Sequence, residues 1–277
     1  MSPTATAACP TVDPSQKASY RDQGFAIARG LFSPGEAAEM RDTFTKLGRN
    51  GPVKDLSDGG GGPSDDPLSH WPRMMHPHRH HQQPWGRLAL ARALDRRVAD
   101  WLTGLTGEDH LAAQSMLYFK PPGARGQALH QDNYYLRVSP GTCIAGWMAL
   151  DDCDEENGTL CVVPGSHRLD IRCPEKADPA LSFSGDLVRM PEGMHEVRVD
   201  LKAGDMLFFH GALIHGSYHN RSKDRFRRAF ICHYLPTTSV EVSHWYMPIH
   251  DFSGREITVP GATGGGACGG PEAKGPH

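Results

Sequence analysis

The sequence predicts a mainly β fold, a jelly roll or barrel with helices packed against its outside. Helical patterns come first, and from Leu111 the texture changes to short apolar segments divided by turn residues, with no internal repeat. A chain of 277 residues can bury a full core without being forced into two domains. The expected plan is one domain: a helical part over about 15–110, a β core over about 111–250 and a disordered tail over 254–277.

Ser33-Pro34-Gly35-Glu36 opens the first helix, with an N-cap, a proline at the first helical position and a glutamate placed to complete a capping box. Ala37, Met40, Phe44 and Leu47 mark its apolar face, and Gly48 ends it. A second helical stretch spans about Pro84 to Gly104, with Leu94, Val98, Trp101, Leu102 and Leu105 at helical spacing. Between them, Gly51 to Pro67 contains Gly59-Gly60-Gly61-Gly62 and too little apolar surface to offset chain ordering, so a mobile loop is expected. Both helices precede every segment that reads as sheet.

Strands are expected over Ala113–Lys120, Cys143–Leu150, Thr159–Val163, His195–Leu201, Met206–His210 and Phe226–Leu235. Asn157-Gly158 signals a hairpin, Pro164-Gly165 ends a strand, and Ala203-Gly204-Asp205 opens one. Residues 168 to 195, with Pro174, Pro179 and Pro191, read as a long loop able to act as a lid.

A net charge of -3 gives no field that would gather nucleic acid or anionic membrane, and neither is expected as a partner. No apolar run approaches the roughly 20 residues that cross a bilayer, and Met1 to Pro10 lacks a leader pattern, so a cytoplasmic location is expected. Seven cysteines form an odd set without a C-x-x-C pair, which suits neither a disulfide framework nor a zinc ribbon; reduced thiols are expected. No oligomeric state can be read.

The chemistry rests on His130-Gln131-Asp132. Residues i and i+2 of a strand point the same way, so this His and Asp can reach one cation. A distant His completes a facial triad and leaves three positions open on octahedral Fe(II) for a bidentate co-substrate and O₂. With 16 His and 21 Asp in 277 positions, about one His-x-Asp arises by chance, so the pattern alone decides nothing. Context does more. The segment Asp205 to Ser217 offers His210 and His215; His210 stands at an odd separation from His215 and packs elsewhere. Ser217 follows His215 at i+2, and Arg227 and Arg228 lie on the next expected strand, where a guanidinium would serve a dicarboxylate co-substrate.

The chain resembles the phytanoyl-CoA dioxygenase family of Fe(II)- and 2-oxoglutarate-dependent oxygenases across residues 20 to 235. Carrying the resemblance are Met116-Leu117 with Lys120-Pro121-Pro122, Leu129-His130-Gln131-Asp132, and Trp147. Asn157-Gly158-Thr159-Leu160, Val163-Pro164-Gly165-Ser166-His167, His215-Gly216-Ser217 with Asn220, and Arg227-Arg228-Ala229 follow. It implies a double-stranded β-helix, a cupin-like jelly roll, with iron on His130, Asp132 and His215. It also implies 2-oxoglutarate on Arg227 and Ser217, with Met116, Gln131 and Trp147 lining the rest. The 12-residue His215-to-Arg227 interval is one longer than usual, so an insertion within Lys223 to Phe226 is assumed. Matching Arg-Arg-Ala favours Arg227 over Arg225 or Arg228. Related halogenases carry a small residue at the Asp132 position, so the carboxylate implies hydroxylation or another oxidation of a small molecule, with release of succinate and CO₂.

His76-Pro77-His78-Arg79-His80-His81 is too tightly spaced, and too constrained by Pro77, for four convergent metal ligands. Arg73, His78 and Arg79, and the Asn133-Tyr134-Tyr135 run after Asp132, are candidate substrate contacts. Two other functions stay open: a metal-dependent cupin-type enzyme without 2-oxoglutarate, and a non-catalytic jelly-roll binding protein.

Overall fold

The protein is described by a computed structural model covering residues 11–58, 66–263 and 266–269. Its framework is a large antiparallel sheet facing a smaller one. The strands are β1 (Phe25–Ala28), β2 (Met74–Met75), β3 (His110–Tyr118), β4 (Gln127–His130), β5 (Ile144–Ala149), β6 (Leu160–Val162) and β7 (Glu175–Lys176). Then come β8 (Asp186–Leu187), β9 (Val197–Val199), β10 (Met206–His210), β11 (His215–Ser217), β12 (Ala229–Pro236), β13 (Ile249–His250) and β14 (Glu256–Ile257). Among the described residues the large sheet runs β1-β10-β5-β12-β3-β13-β14, with β2 on β3, and the small one runs β4-β11-β6-β9.

Every central strand of the large sheet is buried on both faces, which explains its near-continuous apolar sequence. Met206, Phe208, Phe230, Cys232 and Tyr234 point outward into a core shared with helices α2 (Pro34–Gly48), α4 (Pro84–Ala93) and α5 (Arg96–Thr106). Trp101 stacks on Phe208 there, with ring centres 5.6 Å apart. Their alternates Leu207, Phe209, Ala229 and Ile231 point inward with Met116 and Trp147, against Leu160 and Val162 of the small sheet. The candidate site lies in that inner space.

The jelly-roll class and all six expected strands are present, with ends shifted by a few residues. Ser33 and Glu36 form the expected capping box. Several expectations need correction. The stretch Pro84 to Gly104 is two helices, because Leu94 leaves helical geometry and Asp95 caps α5 by accepting from Arg97 N–H. Helix α1 (Pro14–Gln23), capped by Asp13 and Gln16, was not anticipated, and β1 and β2 precede the core, so sheet does not wait for the helices to finish. Asn157-Gly158 is a turn with Gly158 at φ 78°, but it carries the chain from the large sheet to the small one, not round a hairpin.

Gly59 to Gly62 lie outside the described residues; beside them Ser57 bridges to Met74 and α3 (Pro67–His70) begins. The tail is not simply disordered from Gly254. β14 pairs with β13, Val242 bridges to Gly261, and Cys268 is disulfide-bonded to Cys173. That bond also corrects the expectation of reduced thiols throughout; Cys143, Cys153, Cys161 and Cys232 are free and buried. Gly264, Gly265 and residues 270–277 lie outside the described residues. Residues 168–195 hold a two-stranded ribbon, β7 with β8, and Val188 N–H donates to Leu129 O at 2.6 Å, which docks the segment on β4.

Candidate active site

β4 and β11 pair antiparallel with His130 opposite His215, so the sheet register alone brings these two rings together, 4.1 Å between centres. Asp132 does not share a strand with His130. The strand ends at His130, and Asp132 has helical backbone angles (φ -62°, ψ -37°) as it leads into α6 (Asn133–Leu136). Its Oδ1 nonetheless lies 3.5 Å from His130 Nε2 and 3.6 Å from His215 Nε2. These three side chains are buried and form a possible metal-binding group, with ligand atoms within 4.8 Å of one another.

The far side of each ring is occupied. His130 Nδ1 meets Ala128 O at 2.8 Å and His215 Nδ1 meets Leu213 O at 3.0 Å, which assigns the proton to Nδ1 and leaves each Nε2 lone pair facing the shared point. Burial, then the His215 ring, pushes the His130 pKa down to about 3, so the ring is neutral and ready to act as a ligand. The Asp132 carboxyl is held below the usual carboxylate range: burial works against ionisation, and the His215 and His233 rings outweigh it. His233 Nε2 sits 3.0 Å from Asp132 Oδ2, which orients the carboxylate so that Oδ1 faces the two ligand nitrogens. The donor set, two imidazole nitrogens and one carboxylate oxygen, suits ferrous iron with open positions.

Arg227 lies just before β12, 2% exposed, with its guanidinium 5.3 Å from the Trp147 ring centre and Nε donating to Gly158 O at 3.2 Å. Its terminal nitrogens have no acceptor among the described residues. Arg228 points the other way and makes a two-pronged bond to Asp151, both contacts 2.8 Å. Alternation separates the two arginines, and the inward one belongs to the cavity. That cavity is lined by Met116, Trp147, Ser217 and Arg227 together with His130, Asp132 and His215.

Gln131 is not among them. Its amide donates to Ala212 O and accepts from Arg172 N–H, both at 2.8 Å, so the expectation that it lines the co-substrate is corrected; Gln127 occupies the wall instead. His210 is also outside, its ring against those of Tyr20 and His167. Residues of the cavity wall with no role foreseen from the sequence are His233, Gln127 and Tyr118; inward alternation with Ile231 was the available signal for His233.

The substrate candidates scatter. Arg73 pairs with Asp58 and donates to Tyr118 Oη at 2.9 Å, in a cavity of about 290 Å³ whose wall includes Tyr118 and Tyr135. Tyr118 lines this cavity and the metal cavity alike. Tyr135 Oη donates to Asp186 at 2.7 Å, while Tyr134 packs edge-on against Tyr135. Asn133 is engaged structurally, accepting from Val138 and Cys143 N–H. His78 is buried against Ser115 Oγ at 2.6 Å and Arg79 donates to Trp245 O, so neither faces the larger cavity.

The sequence model of the phytanoyl-CoA dioxygenase (PhyH) family matches residues 20–229. The chain belongs to the phytanoyl-CoA dioxygenase family. Peroxisomal phytanoyl-CoA dioxygenase of Rattus norvegicus is 27% identical over 240 residues, taking in 79% of this chain and 67% of that protein. The non-haem α-ketoglutarate-dependent epimerase SnoN from nogalamycin biosynthesis is 25% identical with a TM-score of 0.64, over 82% of this chain and 85% of that one. SnoN has also been solved with Fe³⁺ and α-ketoglutarate. The carbocyclase SnoK from nogalamycin biosynthesis shares the fold, at 21% identity and a TM-score of 0.65 over 83% of this chain and 86% of that one. As a phytanoyl-CoA dioxygenase family member, the chain is an enzyme of the Fe(II)- and 2-oxoglutarate-dependent class. No helix among the described residues is long and apolar enough to cross a membrane.

Proposed function

We propose that the chain hydroxylates a small molecule, with iron held by His130, Asp132 and His215 and the distal carboxylate of 2-oxoglutarate held by Arg227 and Ser217. The observation that carries this is Arg227: a buried guanidinium with unused donors, in the same small cavity as the triad. Burying an unpaired cation is costly, and a carboxylate ligand offsets the cost by accepting from its planar fork. Met116 and Trp147 supply the apolar flank. A cupin-type enzyme without 2-oxoglutarate, or a binding protein, has no use for such a group.

Iron held by His130, Asp132 and His215, with 2-oxoglutarate on Arg227 and Ser217, would supply the O₂-dependent oxidising chemistry of a hydroxylation, with succinate and CO₂ as co-products. The protein's part is placement. His233 fixes the orientation of Asp132, the carbonyls of Ala128 and Leu213 fix the two imidazoles, and Phe209, Leu160 and Ile231 keep the cavity apolar. The carboxylate of Asp132 supports oxygen insertion over halogenation. The cavity sharing Tyr118 is the approach we assign to substrate, with Arg73 and Tyr135 on its wall and O₂ as the second reactant. The buried free thiols support a cytoplasmic location, which the Cys173–Cys268 bond opposes.

Anaerobic addition of Fe(II) and 2-oxoglutarate should produce the weak visible charge-transfer band of a chelated complex. Alanine at His130, Asp132 or His215 should remove it. A folded, iron-loaded protein without the band would refute the reading.

A further inference from the structure

The cavity of about 290 Å³ that shares Tyr118 with the metal cavity has charges of both signs on its wall, and they do not match one for one. Arg73 is neutralised by Asp58 and also donates to Tyr118 Oη at 2.9 Å. Arg125 is neutralised by Asp66, its Nε 2.9 Å from Oδ2, and one terminal nitrogen goes to the carbonyls of Pro179 and Ser182. Lys120 spends its Nζ on Ser217 Oγ and Tyr218 O. Each cation of the wall is thus engaged by the protein itself. A phosphate or carboxylate entering here would find no unpaired guanidinium and would face three aspartates.

Asp186 is the exception among those aspartates. It opens β8, is half-buried, and makes no ion pair among the described residues. Lys176, opposite it in the two-stranded ribbon, is exposed and does not pair with it. Its one bond is to Oδ2, from Tyr135 Oη at 2.7 Å, which fills one of about four acceptor positions on a carboxylate. Burial, and then that bond, push the Tyr135 pKa up, so the phenol keeps its proton and the negative charge stays on Asp186.

The surroundings of this carboxylate are aromatic. Phe183, earlier in the same segment, has its ring 6.1 Å from that of Tyr118, and Tyr135 completes the wall beside Asp186. Ring faces attract a cation through their quadrupole, and an unpaired carboxylate beside them attracts it through charge. An ammonium group satisfies both, whereas a neutral group gains from neither.

We propose that the substrate carries a basic nitrogen, protonated when bound, and that Asp186 is the specificity-determining residue that anchors it beside Phe183 and Tyr118. This rests on the reading that this cavity admits the substrate. Because Tyr118 also lines the metal cavity, a molecule anchored at Asp186 extends toward the triad with the part remote from its nitrogen.

The test uses three probes with one body and different charge: phenethylamine, N-acetylphenethylamine and hydrocinnamate. Each is titrated by calorimetry into the protein, with and without Fe(II) and 2-oxoglutarate. Phenethylamine should bind about tenfold or more tightly than either partner, the value of one charge-assisted contact. Asp186→Asn still accepts from Tyr135 Oη, which guards against a folding failure, and it should remove that preference while leaving the Kd of 2-oxoglutarate unchanged. Hydrocinnamate binding as tightly as the amine, no binding of the amine, or an amine Kd unmoved by Asp186→Asn would overturn the proposal. If 2-oxoglutarate gives no charge-transfer band, the oxygenase reading falls, and the amine comparison in the metal-free protein still judges Asp186.

Discussion

Replacing Arg227 by methionine should weaken 2-oxoglutarate binding without destabilising the ligand-free protein. Arg227 is 2% exposed and spends one bond, at 3.2 Å, on Gly158 O. Its terminal nitrogens are left for a carboxylate, a contact worth about 1.5–3 kcal/mol, so Kd should rise about ten- to a hundredfold. In the ligand-free protein the same guanidinium is a buried cation without an ion-pair partner. An apolar side chain of similar length should leave the unfolding midpoint unchanged or raise it, since such replacements are neutral or stabilising by up to about 1–4 kcal/mol. Arg228→Ala should do the reverse. Its guanidinium holds Asp151 at 2.8 Å with both side chains about one-seventh exposed (16% and 14%), so stability should fall by about 1–2 kcal/mol and Kd should not move. Anaerobic titration of the charge-transfer band gives Kd, and thermal unfolding without ligand gives stability. A raised Kd for Arg228→Ala with an unchanged Kd for Arg227→Met would refute the assignment.

Gly126 precedes β4, and a Cβ there would stand 2.4 Å from the Ser217 carbonyl oxygen. Gly126→Ala should therefore push β4 from β11, cost about 1–3 kcal/mol and weaken Fe(II) binding, because that pairing sets His130 opposite His215; unchanged stability and metal affinity would count against the geometry. Glu36 is lowered from 4.5 to about 2, chiefly by its hydrogen bond from Arg97. A depressed carboxyl adds stability that is complete above pH 4.5 and lost as pH falls toward 2, so Glu36→Gln should flatten the acid limb of a stability-versus-pH curve in that window. Identical slopes for the two proteins would show that the pair does not contribute. Unfolding without reductant should expose five titratable thiols, the seven cysteines less the Cys173–Cys268 pair; seven would mean that the bond does not form.

Local order along the chain was enough to settle the class of fold, and together with the family resemblance it named the triad candidates. Apolar alternation in Met206–His210 and in the expected strand Phe226–Leu235 says which residues share a face, and so placed Arg227, Ala229, Ile231 and His233 together. The Ser33 capping box is equally local, since a cap and its partner lie within one turn. What alternation leaves open is which face meets which neighbour. Gln131 was placed beside the co-substrate by the family resemblance, and what takes it out of the cavity is tertiary: its amide is held by Ala212 O and Arg172 N–H, 81 and 41 residues away. The grip of His233 on Asp132 joins residues 101 apart in sequence, and Lys120 reaches Ser217 across 97. Charge burial is a property of the assembled sheets: in the sequence Lys120 is one basic residue before two prolines, and only the packing of β3 against the Gly158 turn and β11 removes it from water. The tertiary structure likewise sets Arg227 apart from Arg228, because Asp151 takes Arg228 and leaves Arg227 in the cavity wall.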